Sequence, residues 1–322
     1  MTDSDSPPVD PLLGASLDDA VEGVLDREYG KNVGDVRATL DSIATDGTVS
    51  SEAIEAEVED AAEHVAVVGE SLETARDALD AAREAVAPVE DLGAVQSRLG
   101  PLEARYENVE EAVNNLRARH ESLVERSHHP KDVHDLAVSI RELKQSVRPA
   151  YERVEQFRHD AEAFETWASD PSVRYDELGD DADYVRDLLD GLDAAADNIE
   201  SDDTDGDVAE AWAEAALQRR VASLLLTDLR AELSDLENWP ADVGGGSGEG
   251  ADASDVAERL EKFGERESAL AARLDALGRD EWQERFADRL DAFEDDLDAF
   301  DPPVPWGAVL ETFSEHQAAL GE

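Results

Sequence analysis

The chain has 322 residues with 81 acidic and 28 basic side chains, a formal charge of −53 at neutral pH, and 41% apolar residues. It has no cysteine, which excludes disulfides and cysteine-ligated metals, and no stretch approaches the ~18 apolar residues of a membrane-spanning helix. Residues 1–11 are acidic and proline-rich, with neither the basic nor the apolar region of a secretory signal, so the expected compartment is the cytoplasm.

The charge is carried in an unusual way. Only Lys31, Lys131, Lys144 and Lys262 are lysines; the remaining basic residues are arginines. So large an excess of carboxylates repels itself and favours the unfolded chain. At about 1 M salt the Debye length shrinks to about 3 Å and most of that repulsion is screened. The composition therefore fits a salt-rich interior. High net charge also accompanies disorder, but here the apolar residues recur at helical spacing over long stretches.

In chain order, residues 1–11 read as a disordered tail and residues 12–47 as short helices. Ser16-Leu17-Asp18-Asp19 has the form of a capping box with Asp in place of Glu. It starts a helix to about Glu28, which Gly30 ends. A second short helix covers about Val33 to Ala44, followed by a turn at Asp46-Gly47. Ser50 or Ser51 then caps a long helix. From Ile54 to Val89 the apolar residues step by four and three (Ile54, Val58, Ala61, Val65, Val68, Leu72 and onward) in a sustained heptad seam. The phase slips beside Pro88 and Gly93. A second seam runs from Leu99 to Leu123, with a break expected at Gly100-Pro101. The third runs from Val133 to Ala168 after the His129-Pro130 turn, with Pro149 inside it, where a bend is expected.

Short connections between long helices give antiparallel neighbours. The expected fold is all-α: an elongated antiparallel helical bundle or coiled coil over 48–240, spectrin-like in general form, with no sheet. Within it, Asp170-Pro171 ends the third helix, an acidic helix covers about Asp181 to Ile199, and a helix from Trp212 to Leu236 follows a charged turn at 202–207. Gly244 to Gly250 reads as a flexible linker, placed within 241–254. Residues 255–322 read as a separate three-helix unit, holding seven of the seventeen aromatics.

Local motifs for chemistry are missing. The histidines show no His-Glu-x-x-His pattern. A calcium loop aligned on Gly206 puts Trp212 where the bidentate Glu belongs. The glycine run lacks the following Lys of a phosphate loop, and no Gly-x-Ser-x-Gly elbow occurs. No catalytic, cofactor-binding or metal-ligating residue is assigned, and no cofactor is expected.

One segment departs from the general acidity. Residues 116–159 carry nine basic and seven acidic side chains and five of the seven histidines. The candidate docking residues on this hairpin are Arg126, His129, Lys131, Arg141, Lys144 and Arg148. Residues 176–210, with fifteen acids against Arg186 alone, are an internal surface that this hairpin could face; an acidic protein partner is the functional alternative. Nucleic acid is disfavoured because phosphate binding needs a dense basic field.

Leu12-Leu-Gly-Ala-Ser-Leu-Asp-Asp-Ala20 and Ser172-Val-Arg-Tyr-Asp-Glu-Leu-Gly-Asp180, together with the lysine-poor composition, resemble segments of an uncharacterised haloarchaeal helical family whose members are sometimes labelled "halo transducer protein". The resemblance covers about residues 12–200. It implies a sensory role and supplies no catalytic residue. The membrane helices of a membrane transducer have no counterpart here. The expected function is a non-enzymatic scaffold or adaptor that binds a protein partner, with signal transduction as one version of it. The alternatives are a nucleic-acid-associated protein using the 116–159 hairpin and a bundle enzyme without a local motif.

Overall fold

The computed structural model describes residues 10–201, 205–240, 243 and 251–321. Most of the expected tail (1–9), the start of the charged turn (202–204) and the glycine run 244–250 lie outside the described residues. The fold is all-α, a helical bundle. Contacts gather the chain into two units, Met1–Asp80 with Leu102–Glu162 and Ala81–Pro101 with Ala163–Glu322.

The first unit begins with α1 (Leu17–Arg27) and α2 (Val33–Asp41). Ser16 caps α1: its Oγ accepts the Asp19 backbone N–H at 3.2 Å and donates to the Asp19 carboxylate at 2.7 Å, a hydroxyl bond in place of the capping box's reciprocal bond to the backbone N–H. Asn32 Oδ1 caps α2 by accepting from Gly34 and Asp35. The chain then departs from the all-helical expectation. A small antiparallel hairpin pairs β1 (Ala44–Thr45) with β2 (Thr48–Val49), so α2 ends before Ala44. Asp46 and Gly47 have φ of 51° and 74°, the paired left-handed conformations that a two-residue hairpin turn requires. An Asp-Gly pair supplies them at little steric cost.

Three long helices follow, α3 (Ser51–Val86), α4 (Gly93–Ser127) and α5 (Val133–Ser169), of which residues 51–80, 102–127 and 133–162 belong to this unit and the rest to the second. Ser50 Oγ caps α3 through the Ala53 N–H at 3.1 Å. Every apolar seam position from Ile54 to Val89, and from Val133 to Ala168, is buried. Within this unit α4 runs antiparallel to its two neighbours, since Arg105 meets Asp160 and Arg119 meets Ser146, while His120 Nε2 approaches the Val58 carbonyl at 3.3 Å. The α3 and α5 chains run parallel, with Lys144 at Asp60 and Ser71 at Glu155. The phase slip falls at a short 3-10 turn, Ala87–Val89. No break occurs at Gly100-Pro101: Pro101 lies inside α4. A helix-interior proline costs roughly 3 kcal/mol, and burial of Val95 and Leu102 on either side favours one continuous helix.

Asp10 and Pro11, expected in the tail, are part of the folded first unit. Asp10 is buried; its Oδ1 accepts the Leu12 N–H at 2.9 Å and its Oδ2 the Val133 N–H at 2.8 Å. It therefore satisfies a free donor at the α5 N-terminus from far away in sequence.

The second unit contains α6 (Pro171–Ser201), α7 (Asp205–Glu237), α8 (Ala251–Leu277), α9 (Asp280–Leu297) and α10 (Trp306–Leu320). The acidic helix starts ten residues earlier than expected. Asp170 caps it through the Ser172 N–H at 2.9 Å, and Pro171 occupies the first helical position, where a missing N–H is harmless. Most residues of α7 between Val208 and Leu217 are buried, the mark of a central helix; it packs against α6, α8, α9 and α10. The contacts do not divide at 241–254. Residues 255–322 group with 163–240, because α8 buries Val256, Leu260, Leu270 and Leu274 while packing on α6 and α7.

Candidate interaction surfaces

The basic hairpin in the first unit is largely engaged with its own neighbours. Arg126 donates to Asp135 at 2.6 Å and to Ser139 at 3.2 Å. Arg141 donates to Thr39 Oγ1 at 2.9 Å. Lys144 Nζ lies between Glu57, at 2.5 Å, and Asp60, at 2.6 Å. Burial works against the Lys144 charge, but the bonds to Asp60 and Glu57 outweigh it and hold the ammonium above its usual range. Arg148 is 87% exposed and pairs with Glu152 one turn along its own helix at 2.8 Å. His129 and Lys131 are exposed in the connection between α4 and α5.

The acidic helix α6 has an internal complement of a different kind. Arg259, Arg266 and Arg273 recur every seventh residue along α8. They bond respectively to Asp183, to Asp190 and Asp193, and to Asp197 and Glu200. The constant offset means that α6 and α8 run parallel. The arginine interval was visible in the sequence. What hid it was the surrounding excess of acids, against which three bases on one stripe do not stand out in a net charge.

The same unit contains a groove of about 870 Å³, bounded by α6, α7, α10, the first turn of α4 and the 302–306 connection. Its floor includes the buried Leu225, Leu229 and Val304. On its rim Tyr184 is 62% and Leu310 57% exposed, although both are large apolar side chains. The groove has the size of a ligand-binding cleft. None of its apolar residues stood out as a site, because scattered apolar side chains are ordinary in amphipathic helices.

Its polar groups fall into two sets. Asp228 accepts the Val304 N–H at 3.0 Å and the Trp306 indole N–H at 2.7 Å, which fastens the 302–306 connection to α7. Asp235 accepts the Ala94 N–H at 2.8 Å and caps α4. Gly93 fits closely there: a Cβ would lie 3.2 Å from the Asp235 carboxylate and 3.3 Å from Pro303, so a larger residue needs these neighbours to give by a few tenths of an ångström. The other set centres on Arg98, which binds Glu232 at 2.8 Å and Glu177 at 3.1 Å. Burial pushes the Glu232 carboxyl above its usual range despite the opposing pull of Arg98. Asp181 is exposed to the groove, and partial desolvation between its walls, aided by Glu177, raises its carboxyl too.

Behind Arg98 lies a stack of cations and indoles. Arg98 sits 4.4 Å from the Trp167 ring, Trp167 meets Trp239 edge-on at 5.5 Å, and Arg174 lies 4.2 Å from Trp239. Arg174 is buried and donates to the Trp167 and Ala168 carbonyls at 3.0 and 2.6 Å. It thereby caps α5 at the end where a cation is favourable.

Among the described residues, no group of His, Cys, Asp or Glu is arranged to hold a metal ion, and no helix is long and apolar enough to cross a membrane. No family model, curated protein or solved structure matches this chain.

Proposed function

We propose that this chain is a non-enzymatic helical scaffold or adaptor in a salt-rich cytoplasm, and that it docks a protein partner. The observation that carries this is the groove beside α6, α7 and α10, with Tyr184 and Leu310 exposed above an apolar floor. Exposed apolar surface around a concavity is where helical or extended segments of partners dock. The salt-rich setting is supported by the charge of −53 and the scarcity of lysine. The haloarchaeal resemblance adds signal transduction as the process. The basic hairpin is the weaker docking surface, because Arg126, Arg141 and Lys144 are committed within the unit.

The test is retention of cellular proteins on the immobilised full chain in molar KCl, compared with a Tyr184→Ser, Leu310→Asp variant. Both positions are exposed, so circular dichroism is expected to be unchanged. Partners lost from the variant, yet kept by an Arg148→Glu, Lys131→Glu control, support docking in the groove. Partners lost from the control and kept by the groove variant would return the site to the hairpin.

A further inference from the structure

The groove is not neutral. Its wall carries Glu177, Asp181, Asp228, Glu232 and Asp235 against the single guanidinium of Arg98. Three of these carboxylates are occupied: Asp228 and Asp235 by backbone and indole donors, Glu232 by Arg98. Glu177 shares Arg98 and is otherwise exposed. Asp181 lines the groove with Tyr184, one turn further along the same helix, and among the described residues its carboxylate makes no ion pair or hydrogen bond.

Resting on the docking function proposed above, we infer that the occupant is a cationic amphipathic helix of a partner protein, its apolar face on Leu225, Leu229 and Leu310 and an Arg or Lys at the Asp181–Glu177 edge. The geometry favours this over an acidic or purely apolar segment. An acidic residue at that edge would stand against two carboxylates with Arg98 already engaged. A purely apolar segment would desolvate Asp181 further and give it no counter-charge, which is unfavourable for a buried ion. A guanidinium there gains a carboxylate and the neighbouring Tyr184 ring, which attracts cations at its face. In molar salt the Debye length is about 3 Å, so only such contact pairs contribute, and general attraction to the acidic surface does not. Asp181, already held above its ordinary range by partial desolvation, is a group whose charge a bound cation would stabilise.

A displayed library of random peptides provides the probe. It is selected on the full-length chain in molar KCl and counter-selected on the Tyr184→Ser, Leu310→Asp variant. The expected result is enrichment of peptides with apolar residues at i, i+3 or i+4, and i+7, flanked by Arg or Lys. An enriched peptide is expected to bind Asp181→Asn about tenfold more weakly, with the helical spectrum of the protein unchanged. Groove-dependent peptides that are neutral or acidic, or that bind Asp181→Asn equally well, would overturn the cationic occupant while leaving docking in place. Failure to enrich any groove-dependent peptide would overturn both.

Discussion

Arg266 on α8 holds Asp193 on α6 through two nitrogens, Nε at 2.9 Å and Nη2, and reaches Asp190 one turn away at 2.7 Å. It is the middle of three arginines spaced seven residues apart, each facing carboxylates of the same helix. Two parallel helices that carry opposite charges along one edge are set in register by such pairs.

Removing the central pair is therefore expected to weaken this unit by a modest amount. Arg266→Ala is expected to cost about 0.5–1 kcal/mol, as for a partly exposed ion pair. Arg266→Glu is expected to be more damaging, because it sets a third carboxylate beside Asp190 and Asp193. Thermal melts in molar KCl check the order. Arg266→Ala melting like the wild type would mean that the pair contributes nothing, and Arg266→Glu melting like Arg266→Ala would mean that the added carboxylate is not felt.

Salt dependence follows from the remaining charge. Net stabilities of domains are only about 5–15 kcal/mol, and the α3 seam uses small residues at Ala61, Ala75 and Ala82. Each such residue buries little area at roughly 25 cal/mol per Å². Lowering KCl from about 3 M to about 0.1 M lengthens the Debye length to about 10 Å and restores repulsion between neighbouring helices. Helical signal is expected to fall and to recover when salt is restored. A melting temperature that does not move across that range would refute the salt requirement.

The Arg98–Glu232 pair predicts a pH-dependent defect. Arg98→Leu leaves Glu232 buried without its cation, at a cost of about 3 kcal/mol near neutral pH. The Glu232 carboxyl is already raised by burial, and loss of Arg98 raises it further. A carboxyl raised in the folded state contributes stability that is present below its unfolded pKa and lost as pH rises through the folded one. The stability gap between wild type and Arg98→Leu is thus expected to narrow on acidification from about pH 7 to about pH 5. Adding Glu232→Gln to Arg98→Leu is expected to abolish that narrowing. A gap that stays constant with pH would show that lost packing, not an unpaired charge, causes the defect.

Within the hairpin, Lys144 and Arg148 are one turn apart and are expected to behave oppositely. Lys144→Glu places three carboxylates together with Glu57 and Asp60 and is expected to lower the melting temperature clearly. Arg148→Glu changes a side chain that is 87% exposed and is expected to have little effect, as for most surface substitutions. Similar melts for the two variants would mean that the half-buried Lys144 pairs contribute no more than an exposed one.

The sequence by itself determined the helices, their seams and several of their starts. Heptad spacing from Ile54 to Val89 and from Val133 to Ala168 identified buried positions, Ser16 identified one cap, and Ser50 or Ser51 another, of which the structure uses Ser50. These features are local: a period or a cap depends on residues within one or two turns. It also showed the Asp46-Gly47 turn, but not that the flanking residues pair as strands. Only the tertiary structure decided that Asp10 caps α5, that Asp235 caps α4, that Arg98 lies between Glu177 and Glu232, and that α8 belongs with α6 and α7. In a chain with 81 acidic side chains almost any base has a carboxylate available. Which carboxylate it takes is set by the register of helices far apart in sequence, because an ion pair or a cap works only at contact distance. The groove has the same origin: Leu225, Leu229 and Leu310 are ordinary apolar helix residues one by one, and become a surface only where α6, α7 and α10 leave a gap between them.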